Sequence, residues 1–198
     1  MAVESIKLPI FSDLPYFKLK DPYLKEYDIN DLMGENGVVI IFTCNHCPYA
    51  QAIWPRSIEL YNKVKLLGVN FVAINPNASN PNYPEDSVEN MKEYIKKLNI
   101  PFPYLVDETQ EVAKKFNAQC TPDIYFYNNE KKLVYHGRFD DNWKDINKVT
   151  KRDLEEAILK WINNKEILEP QYPSVGCFIK WLLLKYLFAG LLRIKKYK

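Results

Sequence analysis

Neither sign of charge dominates this chain, because 27 Lys+Arg stand against 25 Asp+Glu, a formal net charge of +2. That balance leaves no electrostatic footprint for nucleic acid or for a strongly charged partner. An apolar leader is also missing: Met1-Ala2-Val3-Glu4-Ser5-Ile6-Lys7 has an early acid and no hydrophobic stretch, so no secretory signal is read and a cytoplasmic location is expected. No uncharged run reaches the roughly 20 apolar residues of a membrane span, and no internal repeat or low-complexity block is visible. The four cysteines, at 44, 47, 120 and 177, are spaced too irregularly for a disulfide framework. In a reducing compartment such cysteines are more often catalytic or metal-binding.

What is present centres on Thr43-Cys44-Asn45-His46-Cys47-Pro48-Tyr49. Val38-Val39-Ile40-Ile41-Phe42 leads into it, apolar at every position, as a central strand covered on both faces must be. Pro48 suits a first helical turn, and Trp54, Ile58, Tyr61 and Val64 then recur at helical spacing, with Pro55 expected to kink or restart the helix. A C-x-x-C at a strand-to-helix junction places its first sulfur where orphan N–H groups and the helix dipole favour a thiolate. Its second sulfur lies about one turn on, placed to close a disulfide. Half of a zinc site and two inert buried cysteines are the competing readings.

The rest of the chain reads as an α/β sheet closed by an antiparallel hairpin. Residues 1–37 form an N-terminal extension with short strands about Asp21-Pro22. Val69–Ile74 is a strand, and 75–86 a loop in which Asp86 with Glu89 resembles a capping box for the helix behind it. A short strand near Tyr104, a short helix over Thr109–Phe116, a hairpin about residue 130 and a helix from Thr150 follow. The domain is taken to end near 170, giving 1–170 as the domain and 171–198 as an apolar, basic tail.

Cys44-Asn45-His46-Cys47-Pro48-Tyr49, Cys120-Thr121-Pro122-Asp123, Gly137-Arg138-Phe139-Asp140-Asp141 and Pro173-Ser174-Val175-Gly176-Cys177-Phe178 together resemble the thioredoxin-like superfamily, and within it a peroxiredoxin-like subgroup. The resemblance implies a central mixed β-sheet flanked by helices, an extra helix and strand inserted before a cis-proline at Pro122, and thiol–disulfide oxidoreductase activity. It implies that Cys44 attacks, that Cys47 resolves the mixed disulfide, and that His46 supports the thiolate. It implies no cofactor beyond the redox-active Cys44–Cys47 disulfide. The partners it implies are protein or small-molecule thiols and disulfides.

Two departures narrow the activity. Peroxiredoxins resemble Pro-x-x-x-Thr-x-x-Cys at the attacking cysteine, whereas Gly37 and Ile41 occupy those positions here, which argues against a thiol peroxidase. The acid that thioredoxins bury before the first cysteine is replaced by Val38, so proton transfer to Cys47 needs water or another group. Cys120, beside Pro122, is expected near the pair as a third redox thiol, as an inert buried cysteine, or as a ligand in a metal site of Cys44, Cys47 and Cys120 with His46. Arg138 is expected to return beside Pro122, there to support the thiolate or to pair with Asp140 or Asp141. Residues 175–192 form the most apolar stretch, and 178–192 within it is read as a docking or homodimer surface or, with the basic residues behind it, as a peripheral membrane contact.

Overall fold

Strand β4 (Gly37–Phe42) is fully buried along its length and divides the interior in two. Side chains alternate across a strand, so Val39 and Ile41 face one core and Val38, Ile40 and Phe42 the other. Each such Val, Ile or Phe contributes about 1.5–3 kcal/mol by leaving water. This two-sided burial forces an all-apolar sequence, and it fixes where β4 ends and hence where Cys44 sits.

The computed structural model describes residues 2–182. Around β4 lie β2 (Lys18–Lys20), β3 (Glu26–Asp28), β5 (Val69–Asn75), β6 (Tyr104–Val106), β8 (Asp123–Asn128) and β9 (Leu133–His136), in the order β3-β2-β6-β5-β4-β8-β9. The β4–β5 and β5–β6 pairs are parallel and the others antiparallel, a mixed sheet. On one face pack α2 (Pro48–Val64), α3 (Val88–Leu98) and α5 (Asp153–Asn164), which contribute Trp54, Met91, Leu154 and Ile158. On the other lie α1 (Ile29–Leu32) and α4 (Glu111–Lys115), with Ile29, Leu32 and Val112. This is the expected thioredoxin-like arrangement, with α3 and β6 as the insertion.

Helix α2 does not break at Pro55. The proline removes the donor to the Gln51 carbonyl, but Gln51 and Pro55 both lie on the exposed face of the helix, so that loss does not strand a polar group in the core. The Arg56 guanidinium bonds the adjacent Ala52 carbonyl at 3.2 Å and pairs with Asp140.

A second, smaller sheet was not foreseen. Strands β1 (Ala2–Glu4), β10 (Val175–Phe178) and β7 (Cys120–Thr121) pair antiparallel in the order β1-β10-β7. Residues 175–178, assigned to the tail on sequence, are therefore part of the fold. Lys180 continues the attachment, its amide donating to Asn77 Oδ1 at 2.9 Å. The docking and membrane readings of 178–192 lie mostly outside the described residues. Among the described residues no helix is long and apolar enough to cross a membrane.

Candidate active site at the C-x-x-C turn

After Phe42 the chain leaves the sheet with a last bond from the Thr43 amide to Ile74 at 2.8 Å. Cys44 follows in the turn. Helix α2 begins only at Pro48, so the residue at the helix N-cap is Cys47, not Cys44. Both cysteines are fully buried, 0% exposed, and all four cysteines carry free thiols.

Thr121 touches both sulfurs. Its hydroxyl lies 3.2 Å from Cys44 Sγ, and its carbonyl accepts from the Cys47 thiol at 3.0 Å. The Thr121–Pro122 peptide is cis. Beside Pro122 opens a cleft of about 280 Å³, lined by Ile53, Arg138, Trp143, Tyr172 and Val175 among others.

The donors around each sulfur set the direction of its pKa. Cys47 receives the Cys44 thiol as a donor, the Ala50 amide, and both the thiol and the amide of Cys177, and its pKa falls from the ordinary thiol value to about 5. Burial and the facing Thr121 carbonyl oppose this, but the donors outweigh them. Cys44 moves the other way, raised by burial first, then by its bond to Cys47 and by the nearby Asp86 carboxylate. The expectation that the first sulfur meets the helix N-terminus is corrected here: the residue at the start of α2 is Cys47, and the bond between the two sulfurs lets the reduced pair share one negative charge.

Asp86 is the residue that the sequence hid. It is fully buried, and its Oδ1 accepts from the amides of Asn45 at 2.7 Å and His46 at 3.1 Å. Its Oδ2 pairs with His46 Nδ1. The capping-box expectation fails because Ser87 caps α3, accepting from the Asn90 amide at 3.4 Å, which frees Asp86 to turn toward the cysteines. Position 38 thus holds an apolar core residue, and the buried acid near the site comes from the 75–86 loop. The turn is braced further by Tyr104, whose hydroxyl donates to Asn45 Oδ1 at 3.0 Å, and by Gln51, whose amide donates to the Asn45 carbonyl at 2.7 Å. His46 is held between Asp86 and the ring of Tyr83, stacked at 5.0 Å.

Other expected residues lie apart. Successive strand residues point to opposite sides. While Thr121 faces the pair, the buried Cys120 thiol donates to the Pro122 carbonyl at 3.3 Å. Burial and Asp123 push its pKa far up. The metal reading through Cys44, Cys47 and Cys120 is corrected accordingly: among the described residues the group close enough to share a cation is Cys44, His46 and Asp86, within 4.8 Å of one another. Arg138 does border the cleft beside Pro122, but its guanidinium bonds Asp153 at 2.9 Å rather than the thiolate, Asp140 or Asp141. Asp153 lies within the fifth helix, an element whose start the sequence placed three residues too early, at Thr150. The sulfur that does join Cys44 and Cys47 is Cys177, packed against them from β10 and half-buried.

The chain belongs to the AhpC/TSA family, whose model matches residues 10–136. An uncharacterized conserved protein from Geobacillus kaustophilus has a crystal structure that is 40% identical with a TM-score of 0.87, covering 92% of this chain and 97% of that one. A hypothetical protein from Sinorhizobium meliloti is 32% identical with a TM-score of 0.85, covering 90% and 98%. The thiol-disulfide oxidoreductase ResA of Bacillus thuringiensis is 23% identical over 154 residues, 78% of this chain and 79% of that protein.

Proposed function

We propose that the chain is a thiol–disulfide oxidoreductase working by dithiol–disulfide exchange at Cys44 and Cys47, without a bound cofactor. The observation that carries this reading is the pair itself: two sulfurs sharing Thr121, one of them at a helix N-cap and drawn down to about 5. A thiolate at neutral pH is the species that attacks a disulfide.

The chemistry balances within the pair. The Cys44 proton passes to Cys47 along the bond between them, and the Cys44 thiolate attacks one sulfur of a partner disulfide, releasing the other as a thiolate. Cys47 passes that proton to the released partner thiolate, then attacks Cys44 Sγ and releases the second partner sulfur as a thiolate. The partner disulfide is reduced and the Cys44–Cys47 disulfide formed; the reverse sequence oxidises a partner dithiol. Asp86 and His46 act as positioning residues for the turn. Partner classes that fit are protein or small-molecule thiols and disulfides. A cytoplasmic setting would hold the pair reduced at rest.

The test is a trap. Cys47→Ser protein, offered a protein disulfide, should accumulate a mixed disulfide at Cys44 that dithiothreitol releases. Full resolution with no adduct, in a folded variant, would sink the assignment of these roles.

A further inference from the structure

Cys44 and Cys47 are both completely buried, yet exchange requires a partner sulfur to reach one of them. Packed against them is β10, through Cys177. It pairs antiparallel with β7 in the register Cys177↔Thr121, so an extended segment with a cysteine lies against the residue that touches both buried sulfurs. The approach is close enough to require glycine at 176, where a Cβ would stand 2.1 Å from the Thr121 carbonyl oxygen.

The segment is pinned on both sides of Cys177. Upstream, the Ser174 hydroxyl donates to the Gly137 carbonyl at 2.7 Å. Downstream, the Lys180 carbonyl accepts from Asn80 and from Gln110, each at 2.9 Å. Such anchoring argues for a fixed third thiol rather than a flap. Cys177 is also the member of the sulfur group that solvent reaches, since Cys44 and Cys47 have no exposure.

We propose that Cys177 is a third redox cysteine, exchanging with Cys47 so that the buried Cys44–Cys47 disulfide can be passed to the surface as a Cys47–Cys177 disulfide. This rests on the oxidoreductase reading above and deepens it by naming the relay. The step is a thiol–disulfide exchange within one chain: the Cys177 sulfur bonds to Cys47 Sγ, the Cys44–Cys47 bond breaks, and its electron pair leaves with Cys44. The proton lost by Cys177 is taken up by Cys44, so no outside oxidant or reductant is consumed. In the reduced protein Cys47 is flanked by donors from both neighbours, and both neighbours hold their protons more tightly than an ordinary thiol. A partner disulfide or dithiol would meet the relay at Cys177.

The experiment uses the full chain carrying Cys44→Ser, oxidised with diamide, alkylated and mapped by non-reducing peptide mass spectrometry. The expected result is an intrachain Cys47–Cys177 linkage, with loss of alkylation at both positions in monomeric protein. Cys47 and Cys177 both remaining alkylatable, or linking only between chains, would overturn the relay. If Cys44→Ser fails to fold, the wild-type chain supplies the same readout: partial oxidation should yield the 47–177 linked peptide beside the 44–47 peptide, and its absence at every degree of oxidation overturns the relay. A wild-type chain that forms 44–47 but never 47–177 defeats the relay alone. One that forms neither defeats the oxidoreductase reading too.

Discussion

The two sides of strand β7 each hold a buried cysteine environment, and they differ in donors rather than in burial. On the Thr121 side Cys47 is fully buried yet surrounded by N–H and S–H groups, and its pKa is pulled down to about 5. On the opposite side Cys120 is equally buried, donates to a backbone carbonyl and faces Asp123, and its pKa is pushed far up. Burial raises the pKa of both thiols, and only at Cys47 do the donors outweigh it. The sign is set by whether neighbouring groups donate to sulfur or repel its charge.

The sharpest way to break that comparison is to remove each sulfur in turn. Cys47→Ser should abolish turnover, stopping the reaction at the mixed disulfide, and erase the thiolate absorbance that titrates near pH 5. Cys120→Ser should leave both unchanged, and loss of activity there would return Cys120 to the site. Next in size is Asp86→Ala, which strips the acceptor from two amides and His46. By the cost of leaving buried donors unpaired, it should lower stability by about 3 kcal/mol, read as a shift of the urea midpoint.

A smaller effect sharpens the electrostatics. The folded value of Cys47 lies below that of an unfolded thiol, so between about pH 5 and the ordinary thiol range, about 8.5, the unfolded chain binds the extra proton. Stability of the reduced protein should rise with pH across that window and fall as pH drops through about 5. Above about pH 8.5 the sign reverses, because Cys44, Cys120 and Cys177 keep protons that the unfolded chain loses. A pH series of melts checks the maximum, and Cys44→Ala should move the lower arm upward by removing the strongest donor to Cys47. The smallest expected effect is on stability in Cys120→Ser, about 1 kcal/mol, because serine can keep the bond to the Pro122 carbonyl.

The sheet and the C-x-x-C junction were legible in the sequence, because apolar runs and turn residues report local structure directly, whereas the cis bond before Pro122 was implied by the family resemblance. Helix α2 was read correctly in extent but not in continuity, since exposure of Pro55 depends on which face packs inward. Asp86 was misread because a cap three residues before Glu89 and a carboxylate turned toward Cys44 have the same local sequence. Only the fold distinguishes them. Cys177 escaped for a related reason: a four-residue strand after a polar stretch carries little periodicity, and its partner β7 is far away in the chain. Its signal was Gly176, which marks a close backbone approach. Arg138 was placed near Pro122 by counting along the hairpin, but its partner Asp153 lies in a helix beyond that count.

The central claim is that Cys44 and Cys47 form one redox couple. Counting alkylatable thiols at each cysteine by mass spectrometry, across a series of glutathione buffers, tests it most directly. The account predicts that oxidation takes the thiols of Cys44 and Cys47, with any Cys44 thiol set free by the relay matched by a loss at Cys177, and that reduction restores them while Cys120 stays reduced throughout. Cys44 and Cys47 each remaining a free thiol, or each pairing only with glutathione or with another chain, would contradict it.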